Sequence, residues 1–384
     1  MRIADRMESI QPFHVMALLA RARELEAAGR TIVHMEIGEP DFVTSQPVID
    51  AGTRALAAGH THYTPATGLL ALRERIALYY KNRHGLSISP ERIVITPGAS
   101  SALQLVLSVL VNPGDGVLMA DPGYPCNRNF VYLLNGRPLG IPVDASSAYQ
   151  PTLQQLHDSW DAASSVLLVA SPSNPTGTLL DAVTLQDYFD FVRERSGALI
   201  VDEIYHGLTY GDAAVTALSV AEDVFVVNSF SKYFGMTGWR LGWLVAPERF
   251  IPEIDKLAQN LYLAAPTLSQ HAALQAFSQT NQAILEQRRE IFQQRRDYLL
   301  PELRKLGFDI PVTPEGAFYL YADCSRFTDD SYPFTRRLLE EAGVAITPGL
   351  DFGEYRPQQH VRFAYTTSIE NLQEGVRRLT AFLR

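Results

Sequence analysis

The sequence predicts an α/β protein with a large, mostly parallel sheet sandwiched by helices and a smaller α+β layer drawn from both chain ends. Three observations predict it. Short β-rich runs alternate with amphipathic stretches through the middle of the chain, most of those runs are continuously apolar, and the two ends lose the alternation. At about 150 residues per domain, the 384-residue chain has room for two to three such units, and 46% apolar residues can fill their cores.

In chain order, residues 13–30 carry a helical pattern (Val15, Leu18, Leu19, Ala22, Leu25) that stops at Gly29, a residue suited to ending a helix. The β-rich runs follow at 92–96, 116–120, 165–170, 198–202, 224–228 and 241–246. A strand with no polar alternation is buried on both faces, which is the position of strands in a parallel sheet covered by helices. Helical patterns at 100–111 and 181–196 lie between them. A long charged helix is expected over 282–306, with Ile284, Leu285, Ile291, Phe292, Tyr298 and Leu299 on one side. A strand at 317–323, a helix at 331–342, strands at 344–347 and 361–364 and a helix from about Ser368 complete the tail.

The charge balance is acidic: 33 Lys+Arg against 42 Asp+Glu leaves −9. That disfavours a nucleic-acid partner, which calls for a basic face, but leaves room for a small anion in a locally basic pocket. Cys126 and Cys324 are the only cysteines, so there is no disulfide framework and a reducing compartment is expected. The apolar stretch 103–111 is interrupted by Gln104 and Ser108 and is too short to span a bilayer, and residues 1–8 lack the apolar core of a secretion signal. A cytoplasmic location is expected.

Ligands of open α/β sheets bind beyond the carboxyl ends of the strands, so the loops after the predicted strands are where chemistry belongs. Thr96-Pro97-Gly98-Ala99-Ser100 leads into a helix whose first N–H groups would suit a phosphate, although taken alone a plain Ser N-cap is the simpler reading. Asp121-Pro122-Gly123-Tyr124-Pro125 holds an aromatic ring between two prolines, fit to stack on a planar group or simply to close a turn. Ser173-Asn174-Pro175-Thr176-Gly177 is a rigid turn with an amide. Asp202-Glu203 ends a buried strand, where a carboxylate is costly unless paired. Ser229-Phe230-Ser231-Lys232 offers an amine able to form a Schiff base, and Arg240, eight residues on, has the planar fork that suits phosphate. Together these strand ends supply a phosphate cradle, a stacking ring, an amide, an acid and an amine. Pyridoxal phosphate needs such a set.

With these residues in view, the sequence resembles the class I/II aminotransferases, the aspartate aminotransferase superfamily. The resemblance starts at Glu36-Ile37-Gly38-Glu39-Pro40-Asp41-Phe42 and continues through Tyr63-Thr64-Pro65-Ala66-Thr67-Gly68, Ser173–Gly177 and Asp202-Glu203-Ile204-Tyr205. It is most specific at Ser229–Lys232 with Gly238-Trp239-Arg240-Leu241-Gly242, and ends in Gly316-Ala317-Phe318-Tyr319 and Val361-Arg362-Phe363.

The resemblance implies an aspartate-aminotransferase-like fold with a large pyridoxal-phosphate-binding domain over 48–280 and a small domain from 1–47 and 281–384. It implies that Lys232 forms the aldimine and shuttles the proton in a ping-pong transamination. Asp202 would pair with the ring nitrogen, Tyr205 and Asn174 with the ring's phenolic oxygen, and Tyr124 with the ring face. The phosphate would be held by the backbone of Ala99 and Ser100, by Ser229 and by Arg240. Tyr63 would reach the phosphate of the neighbouring subunit, which implies a homodimer. Arg362, with the backbone of Gly38, would hold the substrate α-carboxylate. Asn127 is a further partner to look for at Asp202.

Substrate expectations rest on what is missing. Relatives that prefer aspartate place a second cation at the distal carboxylate; no Arg stands in 261–266, and Ser100 occupies the position where one branch has Lys. With Phe13-His14-Val15-Met16 expected to face the side-chain pocket, a neutral aliphatic or aromatic amino acid is expected, paired with 2-oxoglutarate or pyruvate. The alternatives are a C–S β-lyase on the same scaffold, or an aspartate aminotransferase using Arg128 or His14 at an unorthodox distal-carboxylate site. A regulator using the domain as a sensor is disfavoured by the acidic charge. No G-x-G-x-x-G follows a predicted strand and no G-x-x-x-x-G-K-[ST] is present, so neither a nicotinamide dehydrogenase nor a P-loop enzyme is supported.

Overall fold

The computed structural model describes residues 1–211 and 213–384. Its strands, in chain order, are β1 (Val33–His34), β2 (Ile93–Thr96), β3 (Gly116–Asp121), β4 (Arg137–Pro142), β5 (Ser164–Ala170), β6 (Ala198–Asp202), β7 (Phe225–Ser229), β8 (Gly242–Val245), β9 (Tyr319–Asp323), β10 (Val344–Ala345), β11 (Thr347–Pro348) and β12 (His360–Ala364). Seven of them form one sheet in the order β2-β8-β7-β6-β5-β3-β4. β4, β3, β5, β6 and β7 run parallel, whereas β8 is antiparallel to both β2 and β7.

The predicted runs fall on these strands because their side chains are buried on both faces. Val94, Val166, Leu168, Ile200, Val227 and Leu244 pack in one apolar cluster, while their chain neighbours Ile93, Ile95, Leu167, Leu199, Val226 and Trp243 pack in the other. β4 has no counterpart in the sequence reading. It carries Pro138, Gly140 and Pro142, residues a strand tolerates at a sheet edge, and the edge is where β4 lies.

At the ends, the helices His14–Ala27, Gln279–Leu306, Ser331–Arg337 and Ile369–Phe382 accompany two small sheets, β11-β12-β9 and the parallel pair β1-β10. The second of these pairs an N-terminal with a C-terminal strand, Val33 opposite Val344, so both chain ends meet in one layer. The strand expected over 344–347 is divided: β10 joins β1, and β11 turns to pair with β12. The predicted helix 331–342 ends its regular turns at Arg337 and finishes as a π-turn over Leu338–Ala342.

The reversal of β8 positions the site. Its first residue, Gly242, pairs with Thr96 at the end of β2 and with Ser229 at the end of β7. The chain just before β8 therefore stands at the same sheet edge as the carboxyl ends of the parallel strands.

Candidate active site

At that edge β6 delivers Asp202, 4% exposed. One of its oxygens accepts the Ile204 N–H at 3.1 Å. Burial pushes its carboxyl up to about 7, against the smaller pull of that N–H and of Lys232. Lys232, in the turn after β7, donates from Nζ to the Gly38 carbonyl oxygen at 2.7 Å. Loss of water, then the positive charge of Arg362, lowers its amine to about 8. These are the shifts a nucleophilic amine and a nearby acid acquire when both are stripped of water.

That cavity, of about 190 Å³, is lined by Lys232, Tyr124, Asn174, Tyr205, Gly38 and Arg362 of the sequence-predicted set. Tyr124 is the N-cap residue of the helix Pro125–Leu133 and lines the cavity with Pro125. The Tyr205 hydroxyl lies 2.9 Å from that of Tyr319, and burial raises both well out of the neutral range. Arg362, on β12, lies between the rings of Tyr319 (4.1 Å) and Phe352 (4.8 Å). It donates to Asn174 Oδ1 at 2.9 Å and to the Glu36 carbonyl at 2.7 Å, and its Nε has no partner. No carboxylate pairs with this buried guanidinium among the described residues. An unpaired buried cation calls for an anionic ligand.

Next to the cavity, the helix Ala99–Leu110 begins after Gly98, whose φ of 82° is a glycine conformation. A Cβ on Gly98 would come within 2.6 Å of Arg240 Nη2, so only hydrogen allows the guanidinium so close to the turn. The backbone N–H groups of Ala99 and Ser100 belong to the first turn and have no intrahelical acceptor. Ser229, 3% exposed, stands at the end of the neighbouring strand β7, its Oγ accepting the Ser231 N–H. Arg240 donates to the Thr237 carbonyl and pairs with no acid among the described residues. Free N–H groups, a hydroxyl and an unpaired guanidinium make an anion cradle.

Three groupings were not legible in the sequence. Asp351 lines the cavity, and its two oxygens accept the N–H groups of His14 (2.7 Å) and Val15 (2.9 Å), which start the helix His14–Ala27. Tyr319 touches Tyr205, Arg362 and the space a Gly38 side chain would fill. Asn174 meets Arg362 directly. Of the expected pocket segment, Phe13 and Val15 line the cavity, but His14 packs on Tyr332 and Met16 is exposed. Arg128 faces Asp121 and Glu354 at 4.0 and 3.9 Å instead of the cavity. Asn127 makes no hydrogen bond to Asp202, and its Oδ1 has no partner. Tyr63 does not line the cavity of its own chain and is 82% exposed.

A family model for aminotransferase class I and II matches residues 30–379. The chain belongs to that family. This aminotransferase is 38% identical to the valine–pyruvate aminotransferase of Mycobacterium tuberculosis over 376 residues, 97% of each chain. It is 36% identical to the (5-formylfuran-3-yl)methyl phosphate transaminase of Methanocaldococcus jannaschii over 384 residues, 99% of each. The crystal structure of an aminotransferase from M. tuberculosis superposes with a TM-score of 0.96 at 38% identity, covering 100% of this chain and 99% of the other.

The aspartate-aminotransferase-like fold, transaminase activity and pyridoxal 5'-phosphate follow from the family. The residues present fit that cofactor on two counts of geometry. The helix start after Gly98 leaves the Ala99 and Ser100 N–H groups without intrahelical acceptors close to the Arg240 guanidinium, and the Lys232 amine shares a cavity with Tyr124, Asn174 and Tyr205.

Proposed function

We propose that this aminotransferase moves the amino group of a neutral aliphatic or aromatic amino acid to a 2-oxo acid such as pyruvate in a ping-pong cycle. The wall of the cavity carries this reading. Phe13, Val15, Pro125 and Phe352 make it apolar, Asp351 adds a carboxylate, and Lys232 and Arg362 are the only cations among its lining residues. A second substrate carboxylate would be stripped of water there with no cation to meet it, at a cost of several kcal/mol. The relative named for valine and pyruvate supports a neutral donor.

Pyridoxal phosphate, when bound, supplies the aldehyde and the electron-withdrawing ring that acidify the substrate Cα–H. The chain's own residues would do the rest. Arg362, stacked between two rings, holds the α-carboxylate in its fork with help from the Gly38 backbone. Lys232, with its amine lowered to about 8 by burial, is poised near neutral pH to take and return the Cα proton. Asp202 keeps the ring nitrogen protonated, because a cation there relieves the burial that pushes its carboxyl up. Tyr205 and Asn174 orient the ring's phenolic oxygen, and Tyr124 packs on its face. Ala99, Ser100, Ser229 and Arg240 hold the phosphate.

A homodimer belongs to the same proposal, with Tyr63 reaching the phosphate of the neighbouring subunit. Its exposure, and that of Leu261 and Leu263 on the adjacent segment that Thr267 ties to His62, support a covered face. The separate sheets support a large domain over 48–280 and a small one from 1–47 and 281–384. A role in cytoplasmic amino-acid metabolism accords with two unpaired cysteines.

The test is the visible spectrum of the cofactor-loaded protein mixed with single amino acids and no oxo acid. Bleaching by valine, alanine, leucine or phenylalanine is expected. A preference for aspartate of about a hundredfold would overturn the substrate class. A persisting band with release of pyruvate and ammonia would identify a β-lyase instead.

A further inference from the structure

A second cavity, of about 220 Å³, lies between the β3–β4 end of the large sheet and the small-domain sheet. It shares no lining residue with the Lys232 cavity. Three carboxylates line it, from Asp144, Asp309 and Asp323, against one guanidinium, Arg356. Arg356 lies over the ring of Tyr355 at 5.3 Å and pairs with no acid among the described residues. Asp144 and Asp323 each bind their own turn through one oxygen, to Ser146 and Ser325. Asp309 has no side-chain partner among the described residues.

The walls are aromatic. Tyr321 is 4% and Tyr149 7% exposed, and their rings meet edge to face at 5.9 Å. Neither phenol has a hydrogen-bond partner among the described residues, although both line the cavity. Both side chains are more than nine-tenths buried while their unpaired hydroxyls open onto the same space, which points to a polar ligand there. His360 stacks on Tyr321 at 4.7 Å and bonds through Nδ1 to the Arg356 carbonyl oxygen, which leaves Nε2 as an acceptor.

We propose that this cavity binds a small organic cation of the alkylammonium class. The ammonium head would donate to the carboxylates, and its methylene body would lie against the Tyr149 and Tyr321 side chains, which remove its apolar surface from water. The carboxylates sit around the walls and do not converge: no three His, Cys, Asp or Glu groups among the described residues form a metal cluster. An extended organic cation matches that spread better than a metal ion.

The experiment is calorimetric titration of the cofactor-loaded protein with 1,4-diaminobutane, with the visible spectrum followed in parallel. Saturable binding that leaves the spectrum unchanged is expected, because a diamine reacting at Lys232 would alter it. Asp309→Asn, which keeps the backbone bridge to Asp323, should weaken binding about fivefold. Tyr321→Phe retains the ring stack and should weaken it by about threefold or more through loss of the hydroxyl. Binding that is absent, that survives undiminished in both variants, that is matched by Mg²⁺, or that always changes the spectrum would overturn the proposal.

Discussion

Asp202 and Glu203 stand side by side at the end of β6, and the two regions they face are organised differently. Both are buried, and burial pushes both up, to about 7 and about 8. On the cavity side, Asp202 has one backbone N–H and the nearby Lys232, and its neighbours Lys232 and Arg362 lack anionic partners. On the rear side, Glu203 faces protein groups on a side without a cavity, although its Oε2 and the Nε2 of His206 make no hydrogen bond among the described residues. Glu203 Oε1 accepts from Thr216 Oγ1 (3.0 Å) and the Ala217 N–H (2.7 Å), and His206 Nδ1 lies 3.2 Å from Oε2. His206 is itself pushed down to about 3 by burial, so this pair is neutral at pH 7. A shifted pKa therefore marks burial in both regions, and only the side facing a cavity with unpaired partners reads as a site.

The comparison can be broken by substitution on either side. The largest effect is expected for Lys232→Ala, which should cut transamination by about 10⁴-fold or more without lowering the melting temperature of the cofactor-free protein. Arg362→Lys keeps the charge and loses the planar fork, so kcat/KM should fall about a hundredfold, mostly through KM.

Asp202→Asn separates the regions by pH. A carboxyl raised to about 7 in the folded state, against a usual value near 4, binds a proton on folding between those limits. Its ionised form destabilises the cofactor-free protein above pH 7. The variant should therefore melt higher than the parent at pH 8, with the gap closing as pH falls from 7 towards 4, and it should lose most activity. A pH-independent gap would remove Asp202 from the shifted class.

Tyr319→Phe deletes the hydroxyl paired with Tyr205 and should cost roughly 1 kcal/mol of transition-state stabilisation, read as a several-fold drop in kcat/KM. It should also shift the pH midpoint of visible absorbance in the loaded protein. Glu203→Gln is expected to do least, because the carboxyl is largely protonated at pH 7 already. Activity should stay within about twofold, whereas Glu203→Ala, which strands the Thr216 and Ala217 donors, should lower stability by about 1–3 kcal/mol.

The sheet was legible because strands buried on both faces must be apolar throughout, and Ser229, Asp202 and Lys232 were legible as polar breaks at the ends of such runs. β4 was hidden by its prolines. Arg362 carried no local signal and was found through the family motif. Asp351 could not be found at all: Phe13 is a poor residue to cap a helix, and the cap arrives from 337 positions away.

By itself, the amino-acid sequence determined the α/β class, the strand ends where chemistry belongs, and the amine, acid and guanidinium whose motifs name the family. Each depends on short-range regularities: side-chain period, turn residues and neighbours along the chain. The tertiary structure alone decided that β8 runs backwards and brings Arg240 to Gly98, that Arg362 lies against two rings with no carboxylate partner among the described residues, and that Asp351 lines the same cavity as Lys232. Those depend on contacts between segments far apart in the chain, whose pairing is set by how the sheets and helices pack.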